Sequence, residues 1–226
     1  MYRDESLRVI AAAFTSDPFE YHGEIYDIPS RNLAPQPVQN PHPPLFIAAT
    51  GTDSNRAAGH MGIGTMIGFT ISWELTEACI RAYQEGFKEV EPITGHPNYS
   101  IGIFSTAVNC APTRAAALET AGPVAVRWME IVKGMYDRLN PTSPDYAYLA
   151  AIGAIADHFD DPEYLARSMP YILFGTPDDL IEHAVRLHSL GATELILRID
   201  GLGHEHNMAA IEMIGRHVLP TVHSLT

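Results

Sequence analysis

The chain has 226 residues, of which 46% are hydrophobic and 18% are charged, and its formal net charge is -13 at pH 7. This apolar content is enough for one buried core, while the negative charge repels phosphate backbones and anionic lipids, so we expect no nucleic-acid or membrane partner. The two cysteines have no paired spacing, and the first residues lack the basic, apolar start of a signal peptide, so we expect a cytoplasmic protein.

The first part of the chain predicts a helix followed by an extended connector. Apolar residues recur at helical spacing over 4–15, behind Asp4 and Glu5, which suit a helix N-terminus. Residues 16–44 form the connector, because the prolines of its second half remove hydrogen-bond donors and disfavour helix. The apolar run at 45–49 then predicts a buried parallel strand that ends in a small, polar turn.

The next part of the chain alternates between strands and helices. The pattern predicts a strand at 64–69, a helix at 72–88 and a second strand at 99–108. A helical tract from 113 to 136 follows, and Gly122-Pro123 predicts a break inside it. The region 45–136 as a whole is therefore expected to consist of β/α units.

An insertion and a closing β/α unit complete the chain. Prolines punctuate 137–170, which predicts an insertion of short helical pieces. The closing unit, 171–226, contains a strand at 194–200 and a last helix at 205–219, which Pro220 is expected to end. Four strands alternating with helices, without repeats or a linker, predict a single α/β domain over the whole chain with a parallel sheet.

The first helix of the closing unit carries the sharpest local signals. Residues 175–179, Gly-Thr-Pro-Asp-Asp, place a hydroxyl at the N-cap, proline at the first helical position and two acids in the first turn. Gly191 supplies the C-terminal stop. The pattern therefore predicts a helix between these two signals.

Several segments of the chain occur together in one known enzyme family. The acid-led first helix is followed by Asp-Pro-Phe-Glu-Tyr-His-Gly-Glu-Ile-Tyr at 17–26 and by the proline-rich link at 35–44. Near the end, Phe-Gly-Thr-Pro at 174–177 precedes a helix, Leu-Gly-Ala at 190–192 precedes a strand, and the last helix runs into Val-Leu-Pro at 218–220. In this combination the chain resembles the bacterial luciferase-like flavin-dependent monooxygenases over nearly its whole length.

The resemblance implies an α/β fold of the (β/α)8 TIM-barrel type. The four predicted strands are similar to the family's fifth to eighth strands, so the chain corresponds to the C-terminal portion of an incomplete barrel. A complete barrel of this type usually needs about 250 residues or more, and a parallel half-sheet alone would expose unpaired edges. We therefore expect a truncated product, a fragment, or a piece that pairs with a missing N-terminal half or with other copies in a homo-oligomer.

The resemblance also implies an oxidoreductase that uses molecular oxygen and a small organic substrate. The cofactor would be reduced FMN supplied by a flavin reductase, or alternatively coenzyme F420. The family's acid–base groups come mostly from the early strands, so no catalytic residue is assigned here. We expect the isolated chain to have little or no monooxygenase activity. The alternative is a non-catalytic half-barrel that binds flavin or associates with a partner.

The turn after the first apolar strand is similar to the family's turn for the phosphate of FMN or of the deazaflavin. Gly51 lets the backbone approach an anion closely, and the hydroxyls of Thr50, Thr52 and Ser54 can donate to it. The first amides of the next helix point at the same place, with the helix dipole behind them. Arg56 is a secondary candidate for a bidentate contact to phosphate. The alternative is an ordinary capped turn.

The loop after the last strand supplies a second candidate. His204 is a possible polar contact to the cofactor, and its alternative is a histidine on a surface loop. A different enzyme class is also conceivable, because His204 and His206 near Asp200 could hold a metal ion in a hydrolase barrel. Metal hydrolases of this architecture place such a pair early in the barrel, so we expect no metal site.

Overall fold

A computed structural model of the chain describes residues 2–139, 150–153 and 155–225. The chain divides into two compact units. The first unit comprises Met1–Met66 with Arg81–Ser100, and the second comprises Ile67–Ile80 with Ile101–Thr226. Within the described ranges, no helix has both the length and the apolar character that a bilayer span requires.

The first unit contains a helix, a β-hairpin and the first strands and helices that alternate along the chain. Its elements are α1 (Tyr2–Thr15), β1 (Phe19–His22), β2 (Asp27–Arg31), β3 (Phe46–Ala49), α2 (Thr52–His60), most of β4 (Gly64–Ile67) and the second half of α3 (Trp73–Lys88). β3 and β4 are hydrogen-bonded neighbours. The helix predicted at the start of the chain and the strands predicted on either side of α2 are confirmed.

The connector predicted at 16–44 contains an antiparallel hairpin. β1 pairs with β2 in this segment. Glu5 of α1 holds the hairpin turn, since its carboxylate accepts N–H bonds from Ile25 and Tyr26 at 3.0 and 2.9 Å. The prolines predict extended backbone correctly, but the pairing depends on a carboxylate that is distant in sequence.

α2 and the second half of α3 touch through their backbones. A Cβ on Gly59 would overlap the carbonyl oxygen of Tyr83, and a Cβ on Gly86 would overlap that of Arg56. Only glycine therefore fits where these two helices cross. The Tyr83 hydroxyl donates to Ile63 O at 3.0 Å, and burial raises the pKa of Tyr83 to about 12.

The second unit has helices on both faces of its strands. Its elements are the first half of α3, β5 (Ile101–Cys110), α4 (Arg114–Leu139), α5 (Ala150–Gly153), a 3-10 turn (Ala156–His158), α6 (Pro162–Ser168), β6 (Ile172–Gly175), α7 (Pro177–Leu190), β7 (Glu194–Leu197), α8 (His204–Met213), a π-helical turn (Ile214–Val218) and α9 (Leu219–His223). α4 packs on one face, while α7 and the π-helical turn pack on the other. This double cover explains why β5 is almost entirely buried and mostly apolar.

β5 has a neighbour on each edge, and both pairs are parallel. Arg198 N–H donates to Ser105 O at 2.9 Å on the β7 side, and Thr106 N–H donates to Tyr171 O at 2.7 Å on the β6 side. These two groups of β5 belong to one trans peptide and point in opposite directions, so β6 and β7 lie on opposite edges. The predicted parallel pairing is confirmed for these strands. The sequence pattern does not predict β6, because 172–175 runs directly into helix-start signals.

The helix break predicted at Gly122-Pro123 is wrong. α4 runs without interruption through Pro123, and small buried residues such as Ala117, Ala121 and Ala125 let it lie close to β5 and β6. This burial offsets the roughly 3 kcal/mol that an interior proline costs a helix. The described part of the predicted insertion, 137–170, is mainly helical, and 140–149 and 154 lie outside the described residues.

The helix end predicted at Pro220 is also wrong. α8 passes into the π-helical turn, and α9 then holds Pro220 in its first turn and continues to His223. Proline has no N–H to donate to the carbonyl of Arg216, four residues earlier. The wider π-helical turn accommodates this missing bond without ending the helical path.

The start and end predicted for α7 are confirmed. Thr176 Oγ1 accepts the N–H of Asp179 at 3.3 Å, and Asp179 Oδ2 accepts the N–H of Thr176 at 2.8 Å, which completes a capping box. Pro177 occupies the first turn. Gly191 ends the helix with a φ of 107°, a conformation that favours glycine.

One histidine of α7 is buried. His183 is 8% exposed, and its ring centroid lies 5.0 Å from that of Trp73. Burial, reinforced by the nearby charge of Arg186, lowers the pKa of His183 to about 4. The imidazole is therefore neutral in the folded protein at neutral pH.

We expect the His183→Gln substitution to remove part of the acid sensitivity of folding. The pKa of His183 falls from 6.5 to about 4 on folding, so its contribution is complete above pH 6.5 and is lost as the pH falls toward 4. Between pH 8 and pH 5 the wild-type protein should lose about 2 kcal/mol more unfolding free energy than the variant. Urea unfolding measures this, with exposed His96→Gln as the control. An equal loss in both proteins would contradict it.

Candidate functional site

The turn between β3 and α2 leaves a helix N-terminus open. Gly51 is the N-cap residue, its backbone is extended at φ -125°, and no side chain caps the helix there. A Cβ on Gly51 would meet no atom within 4 Å. The first N–H groups of α2 have no partner within the helix, so they and the helix dipole can receive an anion at this point.

The predicted site residues of the first unit are distributed along this turn. Thr50 and Thr52 are exposed, and Ser54 Oγ donates to Gly51 O at 2.9 Å. The Ser54 hydroxyl proton therefore points at a backbone carbonyl of the same turn and not at the space where an anion would lie. Arg56 is exposed one turn further along, where it lines a groove of about 430 Å³ together with carboxylates such as Glu85.

A buried amide, which the sequence analysis missed, orders the turn. Asn55 is 0% exposed, its Nδ2 donates to Gly51 O at 2.8 Å, and its Oδ1 accepts from Thr65 Oγ1 at 2.6 Å. Asn55 therefore ties the turn to β4. The sequence contains one indication of this role: Asn55 is a polar residue on the same helical face as Ala58 and Gly59, both of which are buried.

The Asn55→Ala substitution should destabilise the protein and loosen this turn. It removes both side-chain bonds and leaves the Thr65 hydroxyl buried without that partner, which should cost about 1–3 kcal/mol. Thr52→Ala, on the exposed side of the same helix, should change the unfolding free energy by less than about 0.5 kcal/mol. Urea denaturation compares the two variants with the wild type. Equal stability of Asn55→Ala and wild type would refute the role given to Asn55.

In the second unit, an ion pair that directly follows β7 lies beside a cluster of aromatic side chains. Arg198 donates from Nε to Asp200 Oδ2 at 2.8 Å, and its guanidinium carbon lies 5.2 Å from the ring centroid of Trp128. Tyr171 contacts Trp128 and Phe104, with ring centroids 6.3 and 5.9 Å apart, and burial raises the pKa of Tyr171 to about 12. The arrangement combines an apolar wall with one charge pair. The sequence pattern does not indicate it, because its members come from four separate segments.

His204 and His206 have different surroundings at the start of α8. His204 is exposed and is the first residue of the helix, directly after Gly203. His206 lines a cavity of about 580 Å³ at the carboxyl end of β5, beside Cys110. Burial raises the pKa of Cys110 to about 11, so the thiol is protonated at neutral pH. Among the described residues, no group of three or more His, Cys, Asp or Glu side chains could hold a metal ion.

The sequence profile of the luciferase-like monooxygenase family matches residues 2–194. This match covers well over half of the chain, and the chain therefore belongs to that family. The family membership expected from the sequence is confirmed.

Two curated relatives agree with this family assignment. The chain is 27% identical to an FMNH(2)-dependent dimethylsulfone monooxygenase of Pseudomonas putida, over 98% of this chain and 58% of that protein. It is 24% identical to the oxygenase component of a flavin-dependent trigonelline monooxygenase of Acinetobacter baylyi, over 89% of this chain and 55% of that protein. The chain thus spans little more than half the length of these relatives.

The fold also matches a solved structure of a coenzyme F420 dependent enzyme. The coenzyme F420 dependent tetrahydromethanopterin reductase of Methanopyrus kandleri aligns with a TM-score of 0.66 at 18% identity, covering 96% of this chain and 61% of that one. At this identity the likeness concerns the fold alone. Together with the family match, it supports the α/β fold of the TIM-barrel type that the sequence predicts.

Proposed function

We propose that the chain acts in a flavin-dependent monooxygenase reaction and binds the phosphate of FMN at the N-terminus of α2. Family membership over 2–194 is the observation that carries the proposal. The uncapped turn at Gly51 supports the location, because it offers unpaired N–H groups and open space to an anion. The relatives that are named for FMNH(2) or flavin support the cofactor class.

Each part of the turn has a separate task in this proposal. The N–H groups after Gly51 hold the phosphate, and the hydroxyls of Thr50 and Thr52 border the same opening. Asn55 keeps the Gly51 carbonyl turned toward the helix through its 2.8 Å bond. Bound reduced FMN supplies the electrons that activate molecular oxygen for transfer to a small organic substrate. Arg56 is a secondary candidate for a polar contact to the phosphate.

A separate flavin reductase would supply the reduced FMN. The protein would work in the cytoplasm, where the buried thiols of Cys79 and Cys110 stay reduced. A relative described as an oxygenase component supports a reductase partner. Coenzyme F420 is the alternative cofactor, which the fold of the F420-dependent neighbour supports. Both cofactors carry a phosphate that suits a helix N-terminus.

The Gly51→Asp substitution should separate cofactor binding from folding. Aspartate at an N-cap stabilises a helix, and the added side chain meets open space, so stability should be unchanged or higher. Its carboxylate should repel the phosphate and weaken FMN binding by about tenfold or more. Gly51→Asn, a neutral capping residue of nearly the same size, is the matched control. Flavin fluorescence titration measures both variants, and a parallel titration with F420 identifies the preferred cofactor. Equal FMN affinity of Gly51→Asp and Gly51→Asn would contradict the location.

A second candidate function is flavin binding without catalysis, alone or within a homo-oligomer. The chain spans 58% of the first relative's length, so its own catalytic capacity is tested separately from flavin binding. We expect the isolated chain to consume little or no substrate when a flavin reductase, FMN and oxygen are supplied. Product analysis with dimethylsulfone as the test substrate checks this, and native mass spectrometry reports the oligomeric state. FMN-dependent turnover by the purified chain alone would exclude the non-catalytic candidate.

A further inference from the structure

A cavity of about 310 Å³ lies in the second unit, between the start of α3, α6, β6 and α7. Its volume is within the range of small-molecule sites. The flavin proposal uses none of its residues. The side chains that matter for its chemistry are Trp73, Arg114, Arg167, Glu182, His183 and Arg186.

Trp73 forms a fixed aromatic platform in this cavity. Its indole Nε1–H donates to Arg167 O at 3.1 Å, which sets the orientation of the ring. The guanidinium carbon of Arg186 lies 3.6 Å from the ring centroid. A guanidinium stacked in this way keeps its N–H donors free around its edge, and these match a carboxylate in a bidentate arrangement. The exposed Glu74 carboxylate interacts electrostatically with Arg186, but no described carboxylate lies within ion-pair distance of it.

His183 contributes a buried acceptor without a partner. One ring nitrogen bonds to the backbone of Pro170, and Nε2 is buried with no hydrogen-bond partner among the described residues. A neutral imidazole that donates through Nδ1 presents a lone pair at Nε2. A buried acceptor of this kind is costly to leave unpaired, so the site favours a ligand that carries an N–H donor.

One arginine of the cavity already pairs with two carboxylates. Arg114 lies 3.5 Å from both Glu163 and Asp179, so this cation is already neutralised. Glu182 lines the same cavity one helical turn before Arg186, and it makes no ion pair with another described residue. The cavity is therefore lined by a carboxylate and a guanidinium that make no ion pair with a described residue, and by His183, whose Nε2 is unpaired.

We propose that this cavity binds a small zwitterion of the α-amino-acid class. The ligand carboxylate pairs with Arg186 above Trp73, and the ligand ammonium donates to Glu182 and to His183 Nε2. A plain anion would leave Nε2 unpaired, and a plain cation would leave the guanidinium edge unpaired. A ligand with both groups satisfies both sets of atoms, and it does not require FMN to be bound.

The first experiment tests the ligand class on the full chain. The standard L-amino acids are added one at a time, and the melting temperature is measured by differential scanning fluorimetry. At least one should raise the melting temperature, while acetate and ethylammonium, each with one of the two charges, should not. No response to any amino acid, or an equal response to acetate, would overturn the proposal.

The second experiment places the ligand in the cavity. Isothermal titration calorimetry with the amino acid that gives the largest shift should show about tenfold or more weaker binding to Arg186→Gln and to Glu182→Gln, since each variant loses a charge-assisted bond. Both side chains are exposed, so folding should be retained, which circular dichroism checks. Glu212→Gln on α8 is the matched control and should bind like the wild type. Undiminished binding to Arg186→Gln would refute the location.

Discussion

A buried strand must pair its backbone groups, and β5 meets this requirement on both edges. The Ser105 carbonyl and the Thr106 N–H belong to one peptide and bond to strands on opposite sides. Because both partners run parallel to β5, the chain has to return to the start of the sheet after each strand. Helices make these returns: α4 follows β5, and α7 follows β6. The helical layers of the second unit, and through them the aromatic cluster and the cavity beside Trp73, follow from this pairing.

Local signals predicted much of the fold because the physics behind them is local. The capping box at Thr176, the glycine stop at Gly191 and the apolar run of β3 depend on neighbouring residues alone. The hairpin at 19–31, the uninterrupted α4 and the strand β6 depend on contacts between distant segments. A carboxylate from α1 orders the hairpin turn, and burial of small residues against β5 and β6 outweighs the helix-breaking tendency of Pro123.

The candidate site shows the same division between local and distant causes. A glycine turn after an apolar strand and before a helix is visible in sequence, so Thr50, Gly51, Thr52 and Ser54 are candidates from the sequence alone. The sequence does not show that the Ser54 hydroxyl bonds to Gly51 O. Asn55 could not be selected in this way, since its role depends on Thr65 of the next strand. The Arg198–Asp200 pair and its aromatic neighbours also stayed hidden, because α4, β5 and the segment before β6 each contribute one ring.

The crossing of α2 over α3 through Gly59 and Gly86 has a mechanical consequence. Helices that meet backbone to backbone have no intervening side chains whose rotamers could absorb a displacement, so their separation is set by main-chain atoms alone. Side chains elsewhere on α2 are then free to change without moving the axis of the helix. Substitutions on the surface of α2 therefore leave the backbone amides of its first turn in place. Related sequences with different surface residues can still offer these amides to a ligand in the same position.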